Sequence, residues 1–192
     1  MFAAANLGGG TLFFAVLGTT VYLSAYLQEF RHLTPLQTGL ALLPLGGAVA
    51  LASPVSGRLT ARVSPRTLIT AGLACAAAGA LLLSGIDPSD GPGDLWPDLV
   101  LLGAGVGMAL PAATSTAVSA APSERTGMAS AIHNASRQVG GTFGVAVLGT
   151  IILSHAGSAA GFTDGLSAAM VVAACALFAV AAATLVLVPR AS

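Results

Sequence analysis

A row of polar side chains interrupts a long apolar stretch between residues 127 and 153. Its members lie 3, 4, 7, 8 and 11 residues after the first, which is the spacing of one face of an α-helix. Side chains of this kind can bind a polar or charged solute, and a histidine can exchange a proton, although no carboxylate accompanies it here. The row consists of Ser130, His133, Asn134, Arg137, Gln138 and Gly141.

Arg137 is the member of this row that is hardest to place in an apolar environment. A charged arginine at the centre of a membrane helix costs about 2.5–3.5 kcal/mol. At a rise of ~1.5 Å per residue, Arg137 lies about 15 Å from Gly127. It must therefore reach toward a membrane face or line a water-filled cavity. No acid in the apolar segments is an evident partner, so we expect the partner to lie elsewhere. Arg137 is either a pathway residue or a structural anchor.

The composition of the chain defines the elements that carry this row. Hydrophobic residues make up 55% of the 192 residues, charged residues make up 7%, and the mean hydropathy is +0.88. A soluble domain has about 25% charged residues, so we predict a polytopic membrane protein. Continuous apolar runs without period-two alternation predict an all-α fold. Residues 1–192 then form a single domain with six transmembrane helices, at about 6–28, 38–57, 66–86, 97–119, 127–153 and 166–188.

The distribution of charge predicts the orientation. Three arginines crowd into the loop at residues 57–66, whereas the loop at 86–98 contains four aspartates and no basic residue. Because cationic loops resist translocation, the first loop is predicted to be cytoplasmic. Both chain termini are then cytoplasmic as well. The residues of the basic loop motif are Gly57, Arg58, Arg62 and Arg66.

The six helices divide into two kinds. The third and sixth are rich in Ala, Leu and Val, whereas the first, second, fourth and fifth contain polar residues, glycine or proline in their interiors. This recurrence predicts two three-helix repeats, with the third and sixth helices facing lipid. On the first helix, Thr19, Tyr22 and Tyr26 share one face, although an interfacial aromatic belt explains Tyr26 equally well. Pro44 and Pro111 predict kinks in the second and fourth helices.

Several other functions have no support in the sequence. No serine lies in a nucleophile elbow and no metal-ligand cluster is apparent, so we predict neither an enzyme nor a bound cofactor or metal. No basic patch is interleaved with exposed aromatic residues, so no nucleic-acid partner is predicted. The predicted partner common to all six segments is the lipid bilayer.

Four stretches resemble the major facilitator superfamily. Residues 57–66 (GRLTARVSPR) are similar to its loop signature, in the copy between helices two and three of the C-terminal half. Residues 26–28, 42–44 and 134–141 are similar to the fourteen-helix drug:proton antiporter branch. Two positions depart from the loop pattern, because Ala61 stands where an acid is usual and Ser64 where a glycine is usual.

The resemblance implies a specific function. Members of this family have two six-helix halves around a central cavity, lined by helices one, two, four and five of each half. The chain then resembles the C-terminal half of a proton-coupled efflux transporter for small organic, drug-like compounds. A missing N-terminal half of six to eight helices, in cis or in trans, would complete it. The implied substrate pathway contains Thr19, Tyr22, Tyr26, His133, Asn134, Arg137 and Gln138.

Two further expectations concern the cellular location of the chain and whether it is part of a longer protein. The abundance of alanine and the absence of lysine fit a GC-rich bacterial genome, so the expected location is the bacterial plasma membrane. The abrupt apolar start of the chain suggests a fragment of a longer transporter. The alternative that stays open is a non-transporting, truncated membrane protein or a module that binds other helices.

The orientation can be tested by thiol labelling. We expect Ser89→Cys, in the acidic loop, to react with a membrane-impermeant thiol reagent on intact cells, because that loop is predicted to lie outside. Ser64→Cys, in the basic loop, should react only after the membrane is opened. Both variants are made in a background without Cys75 and Cys175. Labelling of Ser64→Cys alone on intact cells would reverse the orientation.

Overall fold

The computed structural model describes residues 1–155 and 157–187, and every long element within them is an α-helix. Six of these helices are long and apolar enough to cross a membrane, which confirms the all-α membrane fold predicted from composition. Their bounds are α1 Phe2–Glu29, α2 Pro35–Leu59, α3 Pro65–Leu83, α4 Trp96–Ser119, α5 Thr126–His155 and α6 Ala159–Leu187, with a 3-10 turn at Ser123–Arg125 before α5.

Short polar motifs determine where α2 and α3 begin. The Thr34 hydroxyl accepts a hydrogen bond from the Gln37 backbone N–H at 3.3 Å, and the Gln37 side chain accepts one from Thr34 N–H at 2.9 Å. Ser64 caps α3 in a similar way, by accepting from Thr67 N–H at 3.3 Å. A proline follows each cap, where its missing N–H leaves no helix bond unmade. The basic loop motif is therefore mostly helical, and only residues 60–64 lie between the two helices.

The sixth helix begins earlier than the sequence predicted, at Ala159 rather than about residue 166. Ser158 caps its first turn by accepting from the Gly161 N–H at 3.1 Å. One turn further on, the ring of Phe162 lies 6.0 Å from that of Tyr26 and 5.1 Å from that of Phe30. This aromatic contact stabilises a helical conformation in a segment whose composition alone predicts a loop. The predicted end at Val188, and Arg190 in the tail, lie outside the described residues.

The helices pack in pairs that repeat. The central helices α1 and α4 contact each other, α5 packs on α1, and α2 packs on α4. On another side of the bundle α3 contacts α6, with α3 also packed on α4 and α6 on α1. Exchange of the first three helices with the last three maps these contacts onto one another. The repeats are not identical, because α5 also packs on α6, whereas α2 and α3 have almost no contact. The packing therefore has the form of two three-helix repeats, which an odd number of helices places in opposite membrane orientations.

The helices differ strongly in how much of their surface the chain itself covers. In α2 the buried residues are Thr38, Ala41 and Ser56, and the large side chains of Leu43 and Leu51 are exposed. By contrast, α3 buries nine residues of its nineteen, although it was expected to be a peripheral helix. Its outer surface carries the exposed Leu81 and Leu82. Contact of α3 and α6 with lipid stays a prediction, but α3 is clearly a well-packed helix.

Two glycines allow the backbones of α1 and α5 to touch. A Cβ atom on Gly140 would collide with the Gly10 carbonyl, and one on Gly144 would collide with the Phe14 carbonyl. Small residues four apart are a common means of close helix approach in membranes, where van der Waals contact replaces the hydrophobic effect between helices. The α1–α5 contact is thus a backbone contact that larger side chains would open.

This contact predicts a selective effect of alanine. We expect Gly144→Ala to destabilise the folded protein by about 1–3 kcal/mol, the usual range for overpacking. The matched control is Gly47→Ala in α2, where nothing lies within 4 Å of the new Cβ atom. That variant should be neutral or slightly stabilising, because alanine favours helices over glycine by about 1 kcal/mol. Unfolding by SDS titration of the protein in detergent micelles, followed by circular dichroism, measures both. Equal stability of the two variants would show that the contact is not tight.

Candidate functional site

A buried histidine joins three helices near the end of the bundle where α1 and α5 begin and α4 ends. His133 in α5 is 2% exposed. Its Nδ1 atom lies 3.0 Å from Oδ1 of Asn6 in α1, and its Nε2 atom lies 3.1 Å from the hydroxyl of Thr114 in α4. Gly9 makes room for the ring, since a Cβ atom there would lie 2.8 Å from His133 Cε1. We call His133, Asn6 and Thr114 the histidine cluster.

The outer members of the histidine cluster are fixed by bonds within their own helices. The Asn6 amide nitrogen donates to the Phe2 carbonyl at 3.0 Å, and the Thr114 hydroxyl lies 2.9 Å from the Leu110 carbonyl, to which it can donate. The Phe2 bond assigns the orientation of the Asn6 amide, because its nitrogen must face that carbonyl and its oxygen must face the ring. Polar atoms of α1, α4 and α5 thereby satisfy one another in an apolar setting.

Arg137 lies one turn beyond His133 on α5. Its guanidinium carbon is 4.2 Å from the centroid of the Phe13 ring in α1, a cation–π contact. The side chain is half-buried, and its Nε atom is buried without a hydrogen-bond partner in the described part of the chain. One donor of the guanidinium is therefore unsatisfied within the described residues, while the Phe13 ring holds the group in place. Its partner, predicted to lie elsewhere, stays a prediction.

The polar row on α5 turns from the interior to the surface. Asn134 and Gln138 are exposed, Arg137 is half-buried and His133 is buried. Exposed amides and a partly exposed guanidinium along an apolar helix form a surface that can donate and accept hydrogen bonds. Their role in a solute pathway stays a prediction.

The three candidates on α1 are placed differently. Thr19 is 0% exposed, and its hydroxyl donates to the Met170 sulfur of α6 at 3.2 Å. Tyr26 is 1% exposed and packs against the rings of Phe30 and Phe162. Both side chains are buried against α6 in this structure, and their role in a substrate pathway stays a prediction. Tyr22 is half-buried, and its hydroxyl donates to the Val145 carbonyl of α5 at 2.9 Å.

Sequence reasoning missed Asn6, Thr114 and Phe13. The signal for Asn6 was present, since it is one of only two asparagines in the chain and lies in an apolar segment. Thr114 and Phe13 carry no such signal, because threonine and phenylalanine are ordinary residues of membrane helices. Only the packing of α1 and α4 against α5 shows that they surround His133 and Arg137.

The two prolines named as kinks lie inside continuous helices, Pro44 in α2 and Pro111 in α4. Each removes one backbone donor from its helix. Pro44 borders an apolar groove of ≈ 600 Å³ between α2 and α4, which Leu43, Leu51 and Trp96 also line. Bending at either proline stays a prediction.

The charged loops have defined contacts of their own. In the basic loop motif, the Arg66 guanidinium donates to the Leu185 carbonyl near the end of α6, while Arg58 and Arg62 are exposed. In the acidic loop, hydrogen bonds from the hydroxyl and the N–H of Ser89 hold the pKa of Asp87 below its usual range.

Among residues 1–155 and 157–187, no group of three or more His, Cys, Asp or Glu side chains is placed to hold a metal ion.

Comparison with known proteins identifies the family. A profile of the Major Facilitator Superfamily matches residues 2–145. The chain belongs to the Major Facilitator Superfamily. It is 42% identical over 142 residues to the Multidrug resistance protein Stp of Mycobacterium tuberculosis, a match that covers 74% of this chain and 26% of that protein. The chain is thus a multi-pass membrane protein of a transporter family.

Two further relatives in the Major Facilitator Superfamily come from Streptomyces. The Puromycin resistance protein pur8 of Streptomyces alboniger is 37% identical, with 78% of this chain and 32% of that protein covered. The Tetracenomycin C resistance and export protein of Streptomyces glaucescens is 34% identical, with 82% of this chain and 30% of that protein covered. The chain therefore spans between a quarter and a third of the length of these relatives.

The exposed part of the polar row predicts a labelling pattern for this superfamily member. In a background without Cys75 and Cys175, we expect Asn134→Cys and Gln138→Cys to react with a charged methanethiosulfonate reagent, because both positions are exposed. Thr19→Cys is the buried control and should not react. Mass spectrometry of the protein in detergent measures the reaction. Failure of both α5 positions to react would show that this surface is closed to water.

Proposed function

We propose that this chain is the C-terminal half of a proton-coupled efflux transporter that moves small organic, drug-like compounds across a bacterial plasma membrane. The observation that carries the proposal is the similarity of three quarters of the chain to a protein named for multidrug resistance. The names of the Streptomyces relatives, which refer to resistance and export, support the same direction of transport. Membership of a transporter family favours transport over catalysis.

The surface of α5 supports the need for a second half. Asn134, Gln138 and Arg137 offer hydrogen-bonding groups on the surface of α5. In a membrane, such groups must face protein or a water-filled cavity rather than lipid. The chain spans 26–32% of its relatives, so most of their length is available to cover this surface. A first half of six to eight helices, in cis or in trans, would enclose a cavity here.

Within that cavity, Arg137 acts as a fixed donor. Its contact with Phe13 positions the guanidinium. Because the side chain is only half-buried, its accessible part can donate to a carboxylate of the first half or to a polar group of the substrate. Asn134, three residues before Arg137, and Gln138, the residue directly after it, extend the same surface of α5. We place these three residues in the substrate pathway, and Thr19 and Tyr26 in the interior that supports it.

The basic loop motif and the chain ends complete the proposal. We place the loop that contains Arg58 and Arg62 in the cytoplasm, together with both termini. The bond from Arg66 to the Leu185 carbonyl joins this loop to the end of α6 on the same side of the bundle. The loop thus links the two three-helix repeats where they meet the cytoplasm.

A chimaera tests the function. The segment of the puromycin resistance protein that this chain matches is replaced by the chain, and the product is expressed in a puromycin-sensitive bacterium. We expect the chimaera to restore growth on puromycin and to lower puromycin accumulation, because the donor supplies the missing half. The chain expressed alone should do neither. A chimaera that is present in the membrane at normal abundance but lowers accumulation of neither puromycin nor, in the equivalent chimaera, tetracenomycin C would contradict the proposal.

In the active chimaera, Arg137→Ala should reduce drug efflux at least tenfold, while membrane abundance stays unchanged. A tenfold loss corresponds to about 1.4 kcal/mol, which is within the range for one charge-assisted hydrogen bond. Arg137→Lys should restore efflux only in part, because an ammonium lacks the planar fork of donors. The matched control is Arg125→Ala, an exposed arginine of the loop before α5. Normal efflux by Arg137→Ala, or a loss explained by low abundance, would make Arg137 a structural anchor.

A further inference from the structure

We propose that the histidine cluster is a binding site for a single proton, in which His133 takes up the proton and the hydroxyl of Thr114 turns to accommodate it. The site lies within the membrane-spanning part of α5. His133 is seven residues after the first residue of α5, which at ~1.5 Å per residue is about 10 Å along the helix. The proposal stands on the count of donors and acceptors around the imidazole ring.

On the α1 side, the ring can only donate. The amide nitrogen of Asn6 is engaged by the Phe2 carbonyl, so the atom that faces His133 Nδ1 at 3.0 Å is the Asn6 oxygen. An amide oxygen is an acceptor without a proton. Nδ1 must therefore carry a hydrogen in every state of the cluster. This requirement selects the Nδ1–H tautomer whenever His133 is neutral.

On the α4 side, one hydroxyl has two uses. The Thr114 oxygen lies 3.1 Å from His133 Nε2 and 2.9 Å from the Leu110 carbonyl. A threonine hydroxyl has one hydrogen to donate and lone pairs to accept with. It can donate to Nε2, or it can donate to Leu110 and accept from Nε2. The first arrangement fits a neutral ring, and the second fits a ring with a hydrogen on both nitrogens.

Proton uptake then needs little rearrangement. A hydronium ion transfers its proton to the lone pair of Nε2 and leaves as water, and the Thr114 hydroxyl rotates its hydrogen from Nε2 to the Leu110 carbonyl. The new Nε2–H donates to the freed lone pair of Thr114. No other bond forms or breaks, and release reverses these steps. Because each ring nitrogen has a partner before and after, neither state leaves a polar atom of the ring unsatisfied.

The surroundings of the ring contain one charged group. From α1 the ring faces Asn6 and Gly9, from α4 it faces Thr114, and from α5 it faces Arg137, which also borders Gly9. Among these described neighbours no carboxylate is present. Since a protonated His133 and Arg137 repel each other, the charge of His133 is coupled to whatever group pairs with Arg137. That coupling rests on the proposed function, whereas the proton site itself does not.

The cluster is not sealed from its surroundings. His133 is buried, but Asn6 and Thr114 are each half-buried and lie on opposite sides of the ring. Asn6 also lines a groove of ≈ 460 Å³ between α1 and α5, together with Leu7, Gly10 and Ser136. This groove borders only the Nδ1 side, whereas the lone pair that takes up the proton is on Nε2, so the proton must approach the ring past the half-buried Thr114.

Nitrogen NMR tests the site directly. The full chain, with ¹⁵N-labelled histidine, is placed in lipid nanodiscs, and His32→Gln and His155→Gln remove the two other histidine signals. We expect the Nδ1–H tautomer at high pH and hydrogen on both nitrogens at low pH, over a titration from about pH 9 to about pH 4 that brackets the usual range of histidine. The Nε2–H tautomer at high pH, or no second proton at the lowest pH, would overturn the proposal.

Variants of the two partners sharpen the result. Asn6→Leu removes the acceptor at similar volume and should shift the neutral ring to the Nε2–H tautomer. Asn134→Leu, one residue from His133 but exposed, is the matched control and should leave the spectrum unchanged.

If Asn6→Leu does not fold, Thr114→Val should alter the Nε2 resonance, whereas Thr114→Ser, which keeps the hydroxyl, should not. An unchanged tautomer in folded Asn6→Leu, or an unchanged Nε2 resonance in folded Thr114→Val, contradicts the cluster. None of these results depends on transport, so failure here leaves the proposed function standing.

Discussion

The close approach of α1 and α5 is the constraint on which the rest of the site depends. Gly140 and Gly144 let the two backbones touch, and Gly9 leaves the volume that the His133 ring occupies. With the helices at this distance, a side chain as short as Asn6 reaches the ring, and Phe13 lies under Arg137. A wider spacing would leave His133 and Arg137 without their partners on α1. The contact between the two backbones thus lets buried polar side chains find hydrogen-bond partners in an apolar protein.

The histidine cluster also links the two repeats. Asn6 belongs to the first helix of the first repeat and Thr114 to the first helix of the second, while His133 comes from the helix between α4 and α6. One ring therefore bridges the central pair of helices and the helix that packs beside it. Separation of α4 from α1 would lengthen or break a bond to His133. Few other side-chain bonds connect these helices among the described residues, so this cluster is a natural point of resistance to such movement.

Much of the fold could be predicted from hydropathy, but the site only in part. Six apolar runs are enough to predict six helices, and the spacing of the polar residues correctly places them on one side of α5. The row nevertheless consists of two adjacent lines along the helix. Ser130, Asn134 and Gln138 form the exposed line, while His133, Arg137 and Gly141 face α1. Periodicity gives the direction of a side chain but not the position of the neighbouring helix, so it could not separate these lines.

The same limit explains the candidates on α1 and the start of α6. Thr19 and Tyr26 have the spacing of a common face, but that face packs on α6, about which the local sequence of α1 contains no information. The first turns of α6 are stabilised by the contact of Phe162 with rings that lie far away in the sequence. Such non-local contacts override local composition, because burial of an aromatic side chain outweighs weak helix propensity.

The uneven covering of α2 has a consequence for biosynthesis. The partner of α2 is α4, which follows it in the chain, and likewise the partner of α1 is α5. The first three helices have few contacts with one another, so a nascent chain that has inserted only these has almost no tertiary structure to form. The first repeat must therefore wait for the second before its helices find their places, whereas α5 already packs on α6 within the second repeat. The helices of the first repeat therefore assemble late, after α4 and α5 have emerged from the ribosome. Until then, lipid or the insertion machinery must cover the helix surfaces that pack against α4 and α5 in the finished protein.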